Sequence, residues 1–236
     1  MDLVRVTLVE TTPLRITRNT YCIGGPNITD PDDCFIYLVN LEGHLVLIDA
    51  GIGRSTDRLL TNIKQLKLNP KKVELLILTH EHADHIGGAV PLQKRLKFKI
   101  AAHEKAAKTI SEGDSVRSAA DLYGMSISPT PIDVTLSSDK GTVPVGNRTL
   151  RYLHTPGHTP GSIVVYYNDG DRRILFGQDL HGPFNAAWGS DITQWRASMN
   201  MVQDLEADIL CEGHYGVYRG KSAVRQFIFG LLNQYT

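Results

Sequence analysis

Short apolar runs and amphipathic stretches alternate along the first third of the chain. The runs Leu3–Val9, Phe35–Asn40 and Leu45–Asp49 predict strands, and the turn between the last two is typical of a hairpin. The amphipathic pattern of Ser55–Leu68 predicts a helix. The continuous apolar run Val73–Thr79 then predicts a buried strand. This part of the chain therefore indicates strands followed by an α/β unit.

The same order returns in the rest of the chain. Residues 134–180 are rich in predicted strands separated by turns. The other predicted elements are helices at about 86–96, Glu104–Ile110, Asp191–Glu206 and Lys221–Asn233, with strands at Lys99–His103 and Ile209–Cys211. We expect an α/β fold in which helices cover two mixed β-sheets, rather than a doubly wound parallel sheet. No linker is evident, so we expect a single domain over residues 1–236.

Composition and charge limit the class of protein. The 236 residues are 42% hydrophobic and 21% charged, which excludes a mostly disordered chain. The formal net charge is zero, so we expect no nucleic-acid partner. No apolar run is long enough to span a membrane and no secretory signal is seen, so we expect a cytoplasmic protein without a membrane partner. Three cysteines predict reduced thiols, and a homo-oligomer stays open.

Four potential metal ligands lie within six residues, directly after the buried strand at 73–79. His80 and His82 are two residues apart, so in an extended segment they point the same way and can bind one cation. Asp84 and His85 follow where a helix begins, and they can reach a second cation nearby. Imidazole and carboxylate groups together suit zinc, and also iron or manganese. The sequence therefore predicts a metal centre at this position.

Three further candidates follow predicted strands. His158 lies in the loop Thr155-Pro-Gly-His-Thr-Pro-Gly-Ser162, whose composition is unusual for core packing. Asp179 ends an apolar strand in a carboxylate, and His214 follows another apolar strand in the same manner. These positions suggest that all three side chains join the same centre.

Together these residues resemble the metallo-β-lactamase superfamily over Asp49–His214, about 70% of the chain. The motifs that carry the resemblance are Ile48-Asp-Ala-Gly51, Thr79-His-Glu-His-Ala-Asp-His85, Thr155-Pro-Gly-His158, Gly177-Gln-Asp179 and Gly213-His214. The resemblance implies an αββα sandwich with its site at the sheet edges. It also implies that His80, His82 and His158 hold metal 1, that Asp84, His85 and His214 hold metal 2, and that Asp179 bridges the two.

The resemblance further implies a binuclear metallo-hydrolase with two divalent ions per chain, zinc first and iron or manganese as alternatives. A metal-bridging hydroxide would cleave a small ester, thioester, lactone or phosphoester, and the residual positive charge would suit an anionic substrate. Asp84 would also move a proton as a catalytic residue. Asp49 is expected to orient a ligand loop, and His181 and Tyr215 are candidates to contact substrate.

The chain resembles a glyoxalase II-like or lactonase-like branch of the superfamily rather than a true β-lactamase, and it also departs from the patterns of these two branches. True β-lactamases of this fold lack a bridging Asp at the position of Asp179. Glyoxalase II enzymes carry a helical C-terminal domain, whereas 22 residues follow His214 here. Lactonases place a Tyr where this chain has Gly182. Two other readings stay open: a mononuclear-iron oxygenase resembling persulfide dioxygenases, and a non-catalytic metal-binding scaffold.

Residues 111–133 fit the regular pattern poorly. They contain a helical patch at Ser115–Tyr123, followed by Ser128-Pro-Thr-Pro131. We predict that this stretch is an insertion that forms a lid over the site and influences specificity.

Overall fold

The computed structural model describes residues 5–6 and 11–235, which form two β-sheets packed face to face with helices on both outer sides. The strands are β1 (Arg5–Val6), β2 (Leu14–Arg15), β3 (Thr20–Gly24), β4 (Ile36–Leu41), β5 (His44–Ile48), β6 (Val73–Ile77), β7 (Lys99–His103), β8 (Val134–Leu136), β9 (Lys140–Val145), β10 (Arg148–His154), β11 (Ile163–Asp169), β12 (Arg172–Gln178), β13 (Ile209–Glu212) and β14 (Val217–Arg219). The α-helices are α1 (Thr56–Gln65), α2 (Ala83–Ile86), α3 (Ala89–Leu96), α4 (Glu104–Glu112), α5 (Ile192–Asp204) and α6 (Lys221–Gln234).

Both sheets are mixed. The first has the order β1-β14-β13-β12-β11-β10-β9, and its β12 and β13 run parallel. The second has the order β2-β3-β4-β5-β6-β7-β8, and the neighbours from β5 to β8 run parallel. The predicted αββα sandwich of two mixed sheets is confirmed.

Three apolar clusters hold the four layers together. Residues such as Val39, Ile48 and Phe176 fill the space between the sheets. A second cluster packs α1 to α4 on the outer face of the second sheet, and a third packs α5 and α6 on the first sheet. Burial of these side chains, at about 25 cal/mol per Å² of apolar surface, is the main force that assembles the layers. In the described part of the chain no helix has the length and apolar character needed to cross a membrane.

Several element boundaries differ from the prediction. The strands at Leu14–Arg15 and Thr20–Gly24 were not predicted, because β3 is buried at all five positions and shows no alternation. The helix predicted at about 86–96 begins at Ala89 as α3, and Gly87 and Gly88 separate it from the short helix α2, which was not predicted. Of the predicted strand Leu3–Val9, Arg5–Val6 pairs with β14, and the remainder lies outside the described residues.

The predicted helical patch at Ser115–Tyr123 is wrong over most of its length. The carboxylate of Asp114 accepts the backbone N–H groups of Val116 and Arg117, which fixes a turn. The carbonyl of Ser118 then accepts a hydrogen bond from the N–H of Ala83, 2.7 Å away, instead of one from a residue of the same helix. Only a short 3-10 helix forms, at Ala120–Tyr123.

Strand direction brings the candidate residues to one edge of the sandwich. The parallel strands β5 and β6 end just before Asp49 and His80, and the parallel strands β12 and β13 end just before Asp179 and His214. β10 runs in the direction of β12, because each is antiparallel to β11, so the His158 loop opens at the same edge. Five chain segments therefore deliver polar side chains to one place.

Candidate metal centre

Four side chains from three segments form a first group of ligand atoms. His80, His82, His158 and Asp179 are all buried, and their ligand atoms lie within 4.8 Å of one another. His158 Nε2 is 2.9 Å from His82 Nδ1 and 3.5 Å from Asp179 Oδ2. His80 Nε2 is 3.9 Å from the same carboxylate oxygen. The group is therefore three imidazoles closed by one carboxylate.

A second group shares Asp179. His85 Nε2 is 3.1 Å from Asp179 Oδ1 and 3.5 Å from Asp84 Oδ2. His214 Nε2 is 3.3 Å from Asp179 Oδ1, 3.1 Å from Asp84 Oδ2 and 3.4 Å from His85 Nε2. Asp179 thus turns one oxygen toward each group. The structure brings together all seven residues that the sequence suggested as ligands, in the two sets that the resemblance implied.

The donor set fits divalent cations. Zinc bonds of about 2.0–2.1 Å in a tetrahedral site place ligand atoms about 3.3 Å apart, which matches the spacings in both groups. Imidazole nitrogens that face one another at 2.9–3.4 Å are drawn together when a cation lies between them. Within the described residues, buried His80 Nε2 has no hydrogen-bond partner, although it points toward the first group. These features are those of a metal centre.

Hydrogen bonds on the far side of the rings aim the ligand nitrogens inward. His85 Nδ1 lies 2.8 Å from Asp49 Oδ2, so its Nε2 faces the centre. The same carboxylate accepts the N–H and the hydroxyl of Thr79, at 2.8 and 2.7 Å. His158 Nδ1 donates to the carbonyl of Pro183 at 2.8 Å. Asp49 therefore contacts His85 in the way expected of a residue that orients a ligand loop.

In the first group the protonation states also suit ligands. Burial lowers the pKa of His158 to about 4, so its ring is neutral at pH 7 and offers a lone pair. Burial, together with neighbouring imidazoles, lowers the pKa values of His80 and His82 well below the ordinary value. Burial opposes ionisation of Asp179, but the rings of His214 and His85 hold its pKa well below its usual range. Neutral imidazoles and an ionised carboxylate are the forms that bind metals. In the second group burial lowers the pKa values of His85 and His214, but neighbouring acidic groups outweigh it and raise them well above the ordinary value.

Two glycines allow the ligand loops to pack closely. A Cβ at Gly88 would lie 2.0 Å from the carbonyl oxygen of Ala50, and one at Gly87 would lie 2.3 Å from that of Ile52. The backbone of the segment after β6 therefore rests directly on the turn after β5, which carries Asp49. The N–H of Ala50 also donates to the carbonyl of His85 at 2.8 Å.

The two substrate-contact candidates lie at the rim beside the second group. The ring of His181 is 5.4 Å from that of His214 and 4.7 Å from that of Tyr215. Tyr215 is 43% exposed, whereas His181 is mostly covered and its Nδ1 is 2.7 Å from Glu212 Oε1. Both rings therefore lie beside the second group, and Tyr215 is the more exposed of the two.

Several residues of the site were missed by sequence reasoning. Trp188 packs its ring edge-on to His82, with ring centroids 4.7 Å apart. Glu81 and Glu212 are completely buried beside the ligands. The buried thiol of Cys34 lies with Asp49 and His85, and burial raises its pKa well above the ordinary value, so it stays protonated. Position next to a ligand in the sequence was the only available signal, and it applied to Glu81 alone.

The segment 111–133 borders the centre. Its Ser118 is hydrogen-bonded to Ala83, between the ligands His82 and Asp84. Burial raises the pKa of Tyr123, and the charge of Asp84 raises it further.

Fold and centre together define a class of metal-dependent hydrolases, and the comparisons with known proteins agree. A family model described as the metallo-beta-lactamase superfamily matches residues 29–214. The chain belongs to this superfamily.

Relatives and solved structures that cover most of the chain include a protein of Bacillus subtilis and one of Cronobacter sakazakii. The chain is 29% identical over 209 residues to "Probable metallo-hydrolase YybB" of Bacillus subtilis, covering 86% of this chain and 82% of that protein. The structure of a metallo-beta-lactamase with a HARLDQ motif, from Cronobacter sakazakii, aligns with a TM-score of 0.80 at 18% identity and covers 95% of this chain and 96% of that one. At this identity the structural likeness shows the fold alone.

A second relative has a more specific name. The chain is 30% identical over 166 residues to human "Acyl-coenzyme A thioesterase MBLAC2". The match covers 61% of this chain and 57% of that protein, so it spans just over half of the relative's length.

Proposed function

We propose that this chain is a binuclear metallo-hydrolase that holds two divalent cations, with zinc as the first candidate metal. It cleaves a small ester or thioester, and lactones and phosphoesters are the other candidate substrates. The observation that carries the proposal is the pair of four-residue groups that share Asp179, with one carboxylate oxygen toward each. His80, His82 and His158 would hold one cation, and Asp84, His85 and His214 the other.

The chemistry that two bound divalent cations supply is a lowered pKa of water and polarisation of a carbonyl or phosphoryl oxygen. Asp84 is the residue that would move the proton. Its Oδ2 contacts His85 and His214, which leaves Oδ1 to accept a proton from water and to return it to the leaving group. Burial raises the pKa of this carboxyl, but the rings of His85 and His214 outweigh burial and hold the pKa below its ordinary value, so the group is ionised and able to accept.

The surroundings of the centre favour a particular kind of substrate. Asp84 and Asp179 contribute two negative charges against the four positive charges of two divalent cations, so an anionic substrate is attracted. Trp188 is buried and packs edge-on against the ring of His82 in the first group. His181 and Tyr215 would contact the substrate at the opposite side. Among the candidate bonds, an acyl thioester is supported by the name of the human relative, so this class comes first in a screen.

The experiment that tests the proposal is the metal content of protein purified without added metal, measured by elemental mass spectrometry per chain. We expect two zinc ions, or two manganese ions, together with release of free thiol from short acyl thioesters. One iron per chain, together with oxygen consumption, would contradict the proposal and would support a mononuclear-iron oxygenase instead. No metal uptake on reconstitution would overturn it and leave a protein that uses the fold as a scaffold.

A further inference from the structure

We propose that two buried glutamates, Glu81 and Glu212, position the two halves of the centre separately. Glu81 fixes the segment of His80 and His82 against the loop of His158, and Glu212 fixes the turn of His214 against the turn of Asp179. The inference rests on the proposed two-cation site and assigns roles to two residues outside the seven ligands.

Glu81 joins two ligand-bearing loops that come from different sheets. It lies between His80 and His82 in the chain and is 1% exposed. Its Oε2 accepts the hydroxyl of Thr159 at 2.7 Å, and Thr159 directly follows His158. That hydroxyl is also 3.0 Å from Ser162 Oγ, which accepts the N–H of Thr159 at 3.2 Å and closes the loop. Glu81 thereby holds the His158 loop at a fixed distance from its own segment.

Glu212 has the same role in the other half. It is 0% exposed and lies two residues before His214. Its Oε2 accepts the N–H groups of His214 and Tyr215, both at 2.7 Å, which fixes the turn that presents His214. Its Oε1 is 2.7 Å from Nδ1 of His181, two residues after Asp179. One carboxylate therefore connects two adjacent ligand turns.

The placement of these carboxylates argues for a positioning role. A carboxylate buried without a Lys or Arg partner is costly, and among the described residues neither glutamate has one within 4.0 Å. Glu212 is paired instead with the ring of His181. Each is satisfied by neutral donors or by His181, and each has a donor that belongs to a neighbouring ligand segment. Groups that orient metal ligands in this way typically change metal affinity by about 10–100-fold when they are replaced.

The test measures zinc binding to chelator-stripped protein by calorimetric titration, with one half of the centre disabled at a time. His214→Ala leaves the first half complete, and His158→Ala leaves the second half complete. In the His214→Ala background we expect Glu81→Gln to weaken zinc binding about 10–100-fold and Glu212→Gln to change it less than about threefold. In the His158→Ala background the two effects should exchange. Glu112→Gln, at the exposed end of α4, is the matched control and should leave both affinities unchanged.

Thr159→Val and Thr159→Ser give a second route to the same answer if Glu81→Gln does not fold. The valine removes the hydroxyl that Glu81 accepts, and the serine keeps it, so only the valine variant should lose affinity in the first half. For Glu212, His181→Phe removes the partner of Oε1. A thermal melt of each variant separates loss of fold from loss of binding.

The outcomes distinguish this inference from the proposed function. Opposite, half-specific losses support the assignment. Equal losses in both backgrounds, or unchanged affinities, overturn it while leaving a metal-binding hydrolase. Wild-type protein that binds no zinc overturns both.

Discussion

Gly88→Ala is a single-methyl change whose effect can be worked out from the backbone. Gly88 has φ −79°, which any residue adopts, so the cost of a side chain there is purely steric. The new Cβ would lie 2.0 Å from the carbonyl oxygen of Ala50. A carbon–oxygen contact is comfortable at about 3.3 Å, so this carbonyl would have to retreat by about 1.3 Å.

That displacement acts on stability and on the centre together. The atom that must move belongs to the backbone beside Asp49, whose carboxylate is hydrogen-bonded to the ring of His85. The N–H of Ala50 also donates a hydrogen bond to the carbonyl of His85. Overpacking of this kind costs about 1–3 kcal/mol. For a chain of this size each kcal/mol lowers the Tm by about 2–4 °C. We also expect weaker zinc binding in the half that contains His85.

Gly230→Ala is a control with the opposite sign. Gly230 lies inside α6, and a Cβ there meets nothing within 4 Å. Alanine is favoured over glycine in a helix by about 0.8–1 kcal/mol, so this variant should melt at a higher temperature and bind zinc as the wild type does. Calorimetry and zinc titration of both variants provide the assay. A Gly88→Ala protein as stable as Gly230→Ala would refute the steric reasoning.

Three other changes test separate parts of the molecule. Asp49→Asn should weaken zinc binding by the His85 half about 10–100-fold in a calorimetric titration, because the ring loses its carboxylate partner. Burial lowers the pKa of His103 to about 4. The contribution of the neutral His103 ring to the free energy of unfolding is therefore fully present above pH 6.5, and it is lost as the pH falls from 6.5 toward 4. His103→Asn should flatten that part of a urea-denaturation profile by about 1–3 kcal/mol. Leu122→Ser, at a side chain 68% exposed, should leave the Tm within about 1 °C and should raise the KM for acyl substrates if residues 111–133 form a lid. An unchanged KM would count against the lid.

The ligands were predictable because local spacing and strand ends determine where they lie. Four ligands lie within six consecutive positions at the end of one strand, so any fold that buries that strand gathers them: His80, His82, Asp84 and His85. Asp179 and His214 each follow an apolar strand, and parallel strands deliver their ends to the same edge. The order of strands and helices was likewise readable from periodicity.

The supporting contacts were not predictable, because they join positions far apart in the chain. Glu81 meets Thr159 across 78 positions and Glu212 meets His181 across 31, and neither pair carries a pattern of its own. The prediction at Ser115–Tyr123 failed for a related reason. Its helical pattern lost to the carboxylate of Asp114 and to a hydrogen bond between Ser118 and Ala83, which only the folded chain brings together.

The metal ligands and the residues that support them are held in different ways. The seven ligand side chains are held by turns at strand ends, and the contacts that support them come from Glu81, between two of the ligands, and from Glu212, two residues before a third. A rim residue such as Trp188, or the segment 111–133, can then vary without disturbing the strands that present the ligands. In the proposed function the metal ligands carry the reaction, and we expect the two glutamates to set the metal affinity and the rim to set the choice of substrate.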